Sequence, residues 1–117
     1  MMIEKQNDFG EVKISDEVIS VVSSIAVSDI EGVVGIYDSG KTGIFGMKSS
    51  SKGVSAEMKD NVISVDIDIV VEYGVKMQDV SWEIQSKVKN AVETMTGLVV
   101  QKINVNIKGI KLPEVSE

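Results

Sequence analysis

Residues 61–110 constrain the fold of this 117-residue chain more than any other segment. They read NVISVDIDIVVEYG, then VKMQDVSWEIQSKVKNAVETMTG, then LVVQKINVNIKGI. Apolar and polar residues alternate in the first and third parts, which is typical of half-buried strands. In the middle part the apolar residues recur at helical spacing. The segment is therefore predicted to fold as a strand, an amphipathic helix and a second strand.

The predicted helix runs from about Met77 to Thr96, and Gly97 suits the left-handed position that follows many helices. Its apolar stripe consists of Met77, Val80, Ile84, Val88, Ala91 and Met95. Because the flanking strands also have one apolar face, helix and strands are expected to share one core. The residues expected in that core are Val65, Ile67, Ile69, Ile84, Val88, Val105 and Ile107.

A second helix is predicted in the first third of the chain, after a short strand at residues 11–14. Ser15 is its predicted N-cap, with acidic residues in the first turn, where the helix dipole favours negative charge. Gly32 is expected to end the helix or to lie in the turn after it. The helix has one apolar stripe, which indicates the face that packs on the core. The stripe consists of Val18, Val21, Val22, Ile25 and Ala26.

Further strands are predicted at Val33–Tyr37 and around residues 54–58, where the apolar residues alternate again. Asp60 and Asn61 can form a two-residue hairpin turn, because both tolerate positive φ. The predicted order is β-α-β-β-β-α-β, in a two-layer α+β sandwich with a mainly antiparallel sheet and both helices on one face. We expect one domain over residues 9–112, with flexible tails at 1–8 and 113–117.

Composition excludes several classes of function. Cysteine and histidine are absent from the chain, which removes thiolate chemistry, the commonest metal ligand and the commonest general base. The formal net charge of −6 disfavours a nucleic-acid surface and direct binding to anionic lipid. The first ten residues carry no apolar stretch of signal-peptide length. We therefore expect a cytoplasmic protein with no direct membrane insertion, no nucleic-acid partner, no cofactor and no catalytic residue.

The segment Asp38–Lys52 contains the strongest formal motif. Residues 35–42, GIYDSGKT, match the Walker A pattern, and a predicted strand precedes them. A phosphate site needs a helix starting at the lysine, whereas GIFG and a serine run follow here. The GKTG sequence at 40–43 also fits the GxxG of KH domains, although that loop joins two helices. We interpret the segment as a flexible loop of local charge +2, and leave open whether it binds an anion.

Two surface features have a functional and a structural interpretation. Asp66, Asp68 and Glu72 share one strand face and could bind Mg²⁺ or Ca²⁺, but we favour a polar face balanced by Lys102 and Lys108. Trp82 is placed roughly 160° from Ile84 on the helical wheel, on the polar side. An indole at that position can anchor a protein partner or pack within the fold. The candidate partner contact comprises Trp82, Gln78, Ser86, Lys89 and Glu93.

The pattern from Phe9 to Lys111 resembles the alkaline-shock (Gls-type) envelope-stress proteins of Gram-positive bacteria. The matching stretches are GEVKISDEVISVVSSIAVSDIEGVVGI, YG, KVKNAV, TG and INVNIKGI. The resemblance implies a non-enzymatic scaffold or regulator at the cell envelope, held at the inner face of the membrane by an integral-membrane partner and able to form homo-oligomers. The alternative it leaves open is an accessory or regulatory module for a cytoplasmic metabolic enzyme, in lipid metabolism for example.

Overall fold

The computed structural model describes residues 2–7, 9–37 and 53–114. The order of elements within them is β-β-α-β-β-β-α-β, so the predicted order is confirmed with one additional strand at the start. The elements are β1 (Met2–Asn7), β2 (Gly10–Ser15), α1 (Asp16–Ser28), β3 (Val33–Ile36), β4 (Val54–Lys59), β5 (Val62–Glu72), α2 (Met77–Thr96) and β6 (Val99–Lys111).

Strand β5 is the centre of the main sheet. On one side it pairs with β6, in parallel and along its whole length. On the other side β4 pairs antiparallel with the first half of β5, and β3 pairs antiparallel with its last residues. Strands β3 and β4 therefore lie end to end on the same edge of β5. Three of the four strand pairings are antiparallel, counting the separate β1–β2 hairpin, which confirms the mainly antiparallel sheet.

Local sequence signals set the ends of these elements. Asp60 and Asn61 have φ of 54° and 64°, as a two-residue type I′ turn requires, and they join β4 to β5 as predicted. The Ser15 side chain accepts a hydrogen bond from the Val18 backbone N–H at 3.4 Å, which confirms the predicted N-cap of α1. Gly97 closes α2 with a φ of 74°, where a side chain would be strained.

The core lies between the inner face of the sheet and the two helices. Helix α1 packs on β3, β4 and α2, whereas α2 packs on β6, so both helices cover the same face. The predicted core is confirmed, although Val105 and Ile107 are half-buried at its margin. Its fully buried large side chains include Ile63, Val65, Ile67, Ile69, Val71, Ile84, Val88 and Val92.

The prediction for the apolar stripe of α1 is wrong for most of its members. Val18, Val21 and Ile25 are 47%, 44% and 65% exposed, and it is Ile19, Ser23, Ala26 and Val27 that face the core. Apolar residues occur on two sides of this helix, so their periodicity could not identify the inner one. Ser23 occupies a core position because its hydroxyl donates to the Ile19 carbonyl oxygen at 2.9 Å.

Two smaller expectations also need correction. Residues 2–7, expected to be part of a flexible tail, form β1 and pair with β2 from Met2–Ser15 to Asn7–Gly10. The pairing is made by backbone hydrogen bonds. The strand was not predicted, because the sequence of β1 shows no clear alternation of apolar and polar residues. In α2 the two end members of the predicted stripe, Met77 and Met95, are exposed, while Val92 is buried in their place.

Candidate functional site

The candidate partner surface lies along the side of α2 that faces away from the core. Trp82 is 67% exposed, which confirms the position expected from the helical wheel. Gln78 and Lys89 are also exposed, while Ser86 and Glu93 are half-buried. Their spacing along α2 brings all five side chains to one side of the helix. We call this group of five residues the α2 surface.

Glu93 of the α2 surface also joins two elements of the fold. Glu93 accepts a hydrogen bond from Lys89 Nζ at 2.8 Å and from the backbone N–H of Val100 at 2.9 Å, both at Oε2. These donors, the Lys89 ammonium first and the Val100 N–H second, lower the pKa of the Glu93 carboxyl below its ordinary value of 4.5. The C-terminal half of the α2 surface is therefore fixed against β6.

A third side chain of α2 extends this attachment. Gln85 donates from Nε2 to the carbonyl oxygen of Ile103 at 3.0 Å, so α2 occupies two backbone groups at the start of β6. Gln85, Lys89 and the residues Val100–Ile103 line a shallow cleft of about 330 Å³ between helix and strand. Trp82 precedes Gln85 by almost one helical turn, so the two side chains are neighbours on the helix surface. The sequence does not identify Gln85 as part of this attachment, because a glutamine on the polar side of a helix carries no distinguishing pattern.

The exposed stripe of α1 forms a second surface, which the sequence pattern did not predict. It consists of Val18, Val21 and Ile25, which follow each other at helical spacing, and we call it the α1 surface. Their apolar residue types and helical spacing predicted that they lie in the core, which is wrong. Their spacing was the available signal, but it indicates a shared helix face without saying whether that face is inner or outer. The structure thus leaves an exposed surface with large apolar side chains on each helix.

The outer face of the sheet carries the acidic residues considered as a metal site. Asn106 donates from Nδ2 to Asp68 Oδ1 at 2.9 Å, and the register places Asn104 opposite Asp66. The residues opposite these two aspartates are therefore asparagines. Lys102 and Lys108, which were expected to balance the negative charge, do not lie opposite them. Within residues 9–37 and 53–114, no group of three or more acidic side chains is arranged to hold a metal ion.

The Walker A and GxxG motifs lie mostly outside the described residues. Gly35 and Ile36 belong to β3, and the remainder of both motifs falls largely in 38–52. The helices that the structure describes include no candidate membrane span.

Comparisons with known proteins agree with the sequence resemblance. Residues 4–112 match the model of the alkaline-shock protein 23 family, which is described as having a cell envelope-related function. YloU of Bacillus subtilis is 33% identical over 117 residues, covering 96% of this chain and 98% of the relative. A stress response regulator gls24 homolog of Streptococcus pyogenes is 30% identical over 109 residues. That match covers 90% of this chain but 61% of the regulator.

Solved structures of the MamM C-terminal domain share the fold. A cadmium form matches with a TM-score of 0.51 and 16% identity, over 81% of this chain and 98% of that domain. This likeness concerns the arrangement of helices and strands alone. The family match spans nearly the whole chain and the sequence relatives reach 30% identity or more. The chain therefore belongs to the alkaline-shock protein 23 family of cell envelope-related proteins, which includes the Gls-type stress proteins.

Proposed function

We propose that the protein is a non-enzymatic scaffold or regulator of the cell-envelope stress response, and that it acts through protein–protein contacts. The family has a cell envelope-related function, and one relative is named as a stress response regulator. The observation that carries the proposal is the exposure of Trp82 on the α2 surface.

An exposed indole contributes little to the stability of the isolated fold. In a protein interface, an aromatic side chain of this size buries roughly 150–250 Å² and often becomes a hot spot. The hydrogen bonds of Gln85 and Glu93 to β6 hold the surrounding part of α2 in place. A fixed helix presents Trp82 in one orientation, which lowers the entropy lost on binding. The α2 surface is therefore suited to recognise a folded partner.

We further propose that an integral-membrane partner holds the protein at the inner face of the membrane. The formal net charge of −6 repels anionic lipid headgroups, so attachment through a protein is favoured over attachment to lipid.

Self-association is part of the same proposal. Strand β6 supports it, because no strand pairs with its outer side in the described part of the chain, and an open edge can pair with another copy.

Affinity capture from cells that naturally produce the protein, followed by mass spectrometry, tests this function. We expect the wild-type chain to recover an integral-membrane protein, and Trp82→Ala to recover less of it at equal bait loading. Recovery of a soluble metabolic enzyme in its place would support the accessory-module alternative. Exposed Met95, which is on the same helix outside the α2 surface, provides the control variant Met95→Ala.

A further inference from the structure

We infer that the α1 surface docks an amphipathic helix that carries Lys or Arg beside its apolar stripe, namely a cytoplasmic segment adjoining a transmembrane span of a membrane protein. This inference deepens the proposed function and rests on it, because it names the chemical class of one segment of the membrane partner and adds the α1 surface as a second contact beside the α2 surface.

The first observation is the apolar character of the exposed face. Val18, Val21 and Ile25 lie at positions i, i+3 and i+7, and each exposes more than two fifths of its surface. From Val18 to Ser28 the helix has no charged residue. Isolated exposed apolar side chains are ordinary on protein surfaces, but three at helical spacing form a continuous stripe. Such a stripe matches the apolar face of a second helix.

The serines beside the stripe allow close approach. Ser24 Oγ donates to the Ser20 carbonyl oxygen and Ser28 Oγ donates to the Ser24 carbonyl oxygen, both at 3.0 Å. Since both hydroxyl groups already donate hydrogen bonds within α1, a partner that covers them leaves no buried donor without an acceptor. Small side chains also let two helix backbones come near each other. The flank of the α1 surface is therefore compatible with helix–helix packing.

The charges around the stripe indicate the partner. Residues 9–37 contain five carboxylates and a single lysine, a formal net charge of −4 out of the −6 of the whole chain. Glu17 is exposed near the N-terminal end of the stripe. Asp29 follows its C-terminal end with 69% of its side chain exposed, and Lys87 Nζ approaches it to only 3.8 Å. An apolar stripe with acidic residues at both ends complements a helix that carries basic residues.

The same charges disfavour a second copy of this chain as the occupant. If two α1 helices packed in parallel, Glu17 would face its equivalent in the other copy. If they packed antiparallel, Glu17 would approach Asp29 of the other copy. Either arrangement brings like charges together and desolvates them, which lowers affinity. A basic helix removes this repulsion in both directions.

Segments on the cytoplasmic side of transmembrane helices have this composition. They carry an excess of Lys and Arg, and many continue as amphipathic helices along the interface. A membrane protein with such a segment would offer both features that the α1 surface requires. Docking there would also leave the α2 surface accessible, because Trp82 belongs to a different helix.

Two synthetic helical peptides of 18 residues test the inference. They share the same leucine positions at i, i+3, i+4 and i+7, and differ in having lysines or glutamates at all other positions. Binding to the labelled peptides is followed by fluorescence anisotropy. We expect the lysine peptide to bind and the glutamate peptide not to bind. The double variant Val21→Ser/Ile25→Ser should weaken binding of the lysine peptide by about tenfold or more, because it removes two apolar contacts.

Three further variants separate the contributions. Met95→Ser changes a side chain that is 66% exposed on α2 and should leave binding unchanged. Ile25→Met keeps the apolar contact and should retain binding within about twofold. Glu17→Gln/Asp29→Asn should weaken binding and reduce its salt dependence, because both carboxylates interact with peptide lysines. Thermal unfolding confirms that each variant is folded, which is expected since the altered side chains are exposed.

Several outcomes would overturn the inference. Equal binding of both peptides would show that the charges play no part, and unchanged binding by the double variant would place the contact elsewhere. A dimer in sedimentation velocity that the double variant abolishes would identify a second copy as the occupant. If the wild-type protein bound protein-free anionic vesicles and the double variant did not, lipid would be identified as the occupant of the α1 surface. If any of these occurred while native capture still recovered a membrane protein, the proposed function would stand and this inference alone would fail.

Discussion

Glu93 on α2 and Val100 on β6 are joined by a hydrogen bond of 2.9 Å, from the Val100 backbone N–H to the Glu93 carboxylate. The bond spans the tight connection in which Gly97 reverses the chain. It lies next to the point where the β5–β6 ladder shifts register after the pair Ile63–Val100. One side chain therefore fixes the end of the helix to the beginning of the parallel strand.

This relationship predicts a pH dependence of stability. The pKa of Glu93 is lowered in the folded protein, so the charged form stabilises the fold above about pH 4.5, the ordinary value. That contribution is lost as the pH falls through the lowered pKa. Glu93→Gln should melt below wild type at neutral pH, and the difference should shrink on acidification. Thermal unfolding from pH 7 to pH 3 measures it.

Glu83 provides the control for this prediction, because it is an exposed carboxylate on the same helix for which the structure gives no bond to β6. Glu83→Gln should shift the melting temperature little at any pH in the series. A melting difference for Glu93→Gln that stayed constant from pH 7 to pH 3 would show that its charge does not stabilise the fold.

The position of Val88 in the core predicts a large stability loss. Val88 is fully buried, and Val88→Asp would place an unpaired carboxylate among apolar side chains. The cost should be several kcal/mol, comparable with the total stability of roughly 5–15 kcal/mol for a small domain. Urea denaturation and thermal unfolding of Val88→Asp and of the exposed control Asn90→Asp measure it. Melting of Val88→Asp within a degree or two of wild type would mean that the inner face of α2 is assigned incorrectly.

We predict that the protein does not bind ATP or GTP specifically, although residues 35–42 match the Walker A pattern. The sequence after Lys41 and Thr42 does not favour the helix that a Walker A site requires. Calorimetric titration with ATP or GTP and magnesium should therefore give no saturable heat. Low-micromolar binding that Lys41→Ala abolished would contradict the scaffold proposal and identify a phosphate site.

Trp82 should contribute to binding and little to folding. Because its side chain is largely exposed, Trp82→Ala should leave the melting temperature nearly unchanged. In an interface the same truncation should cost roughly 2 kcal/mol or more. Thermal unfolding together with sedimentation or pull-down on one preparation measures both. A large loss of stability would assign Trp82 to the packing of the fold, and unchanged association would direct attention to the α1 surface or the segment 38–52.

The sequence predicted the elements whose signals are local. Ser15, the Asp60–Asn61 turn and Gly97 each impose a backbone geometry through their own chemistry, and all three lie where they were expected. The inner face of β5 was equally predictable, because apolar residues at every second position from Ile63 to Val71 alternate with mainly polar ones.

Features that depend on tertiary packing were not predictable in the same way. The parallel pairing of β5 with β6 and the end-to-end position of β3 and β4 arise from contacts between distant residues. Apolar residues on two sides of α1 left its rotation open, and the structure places the side with Ile19, Ser23 and Val27 in the core. For the candidate site, the position of Trp82 followed from the helical wheel. The bond from Glu93 to Val100 and the exposure of Ile25 emerged from the assembled fold.

Association of the protein with native membranes distinguishes recruitment by a membrane protein from binding to lipid. Membranes from cells that naturally produce the protein are incubated with it, before and after protease treatment, and protein-free vesicles of the same lipids are run in parallel. Untreated membranes should retain the protein, protease-treated membranes and vesicles should not, and Trp82→Ala should lower the retained share. Equal retention by protein-free vesicles, or none by untreated membranes, would contradict recruitment through an integral-membrane partner.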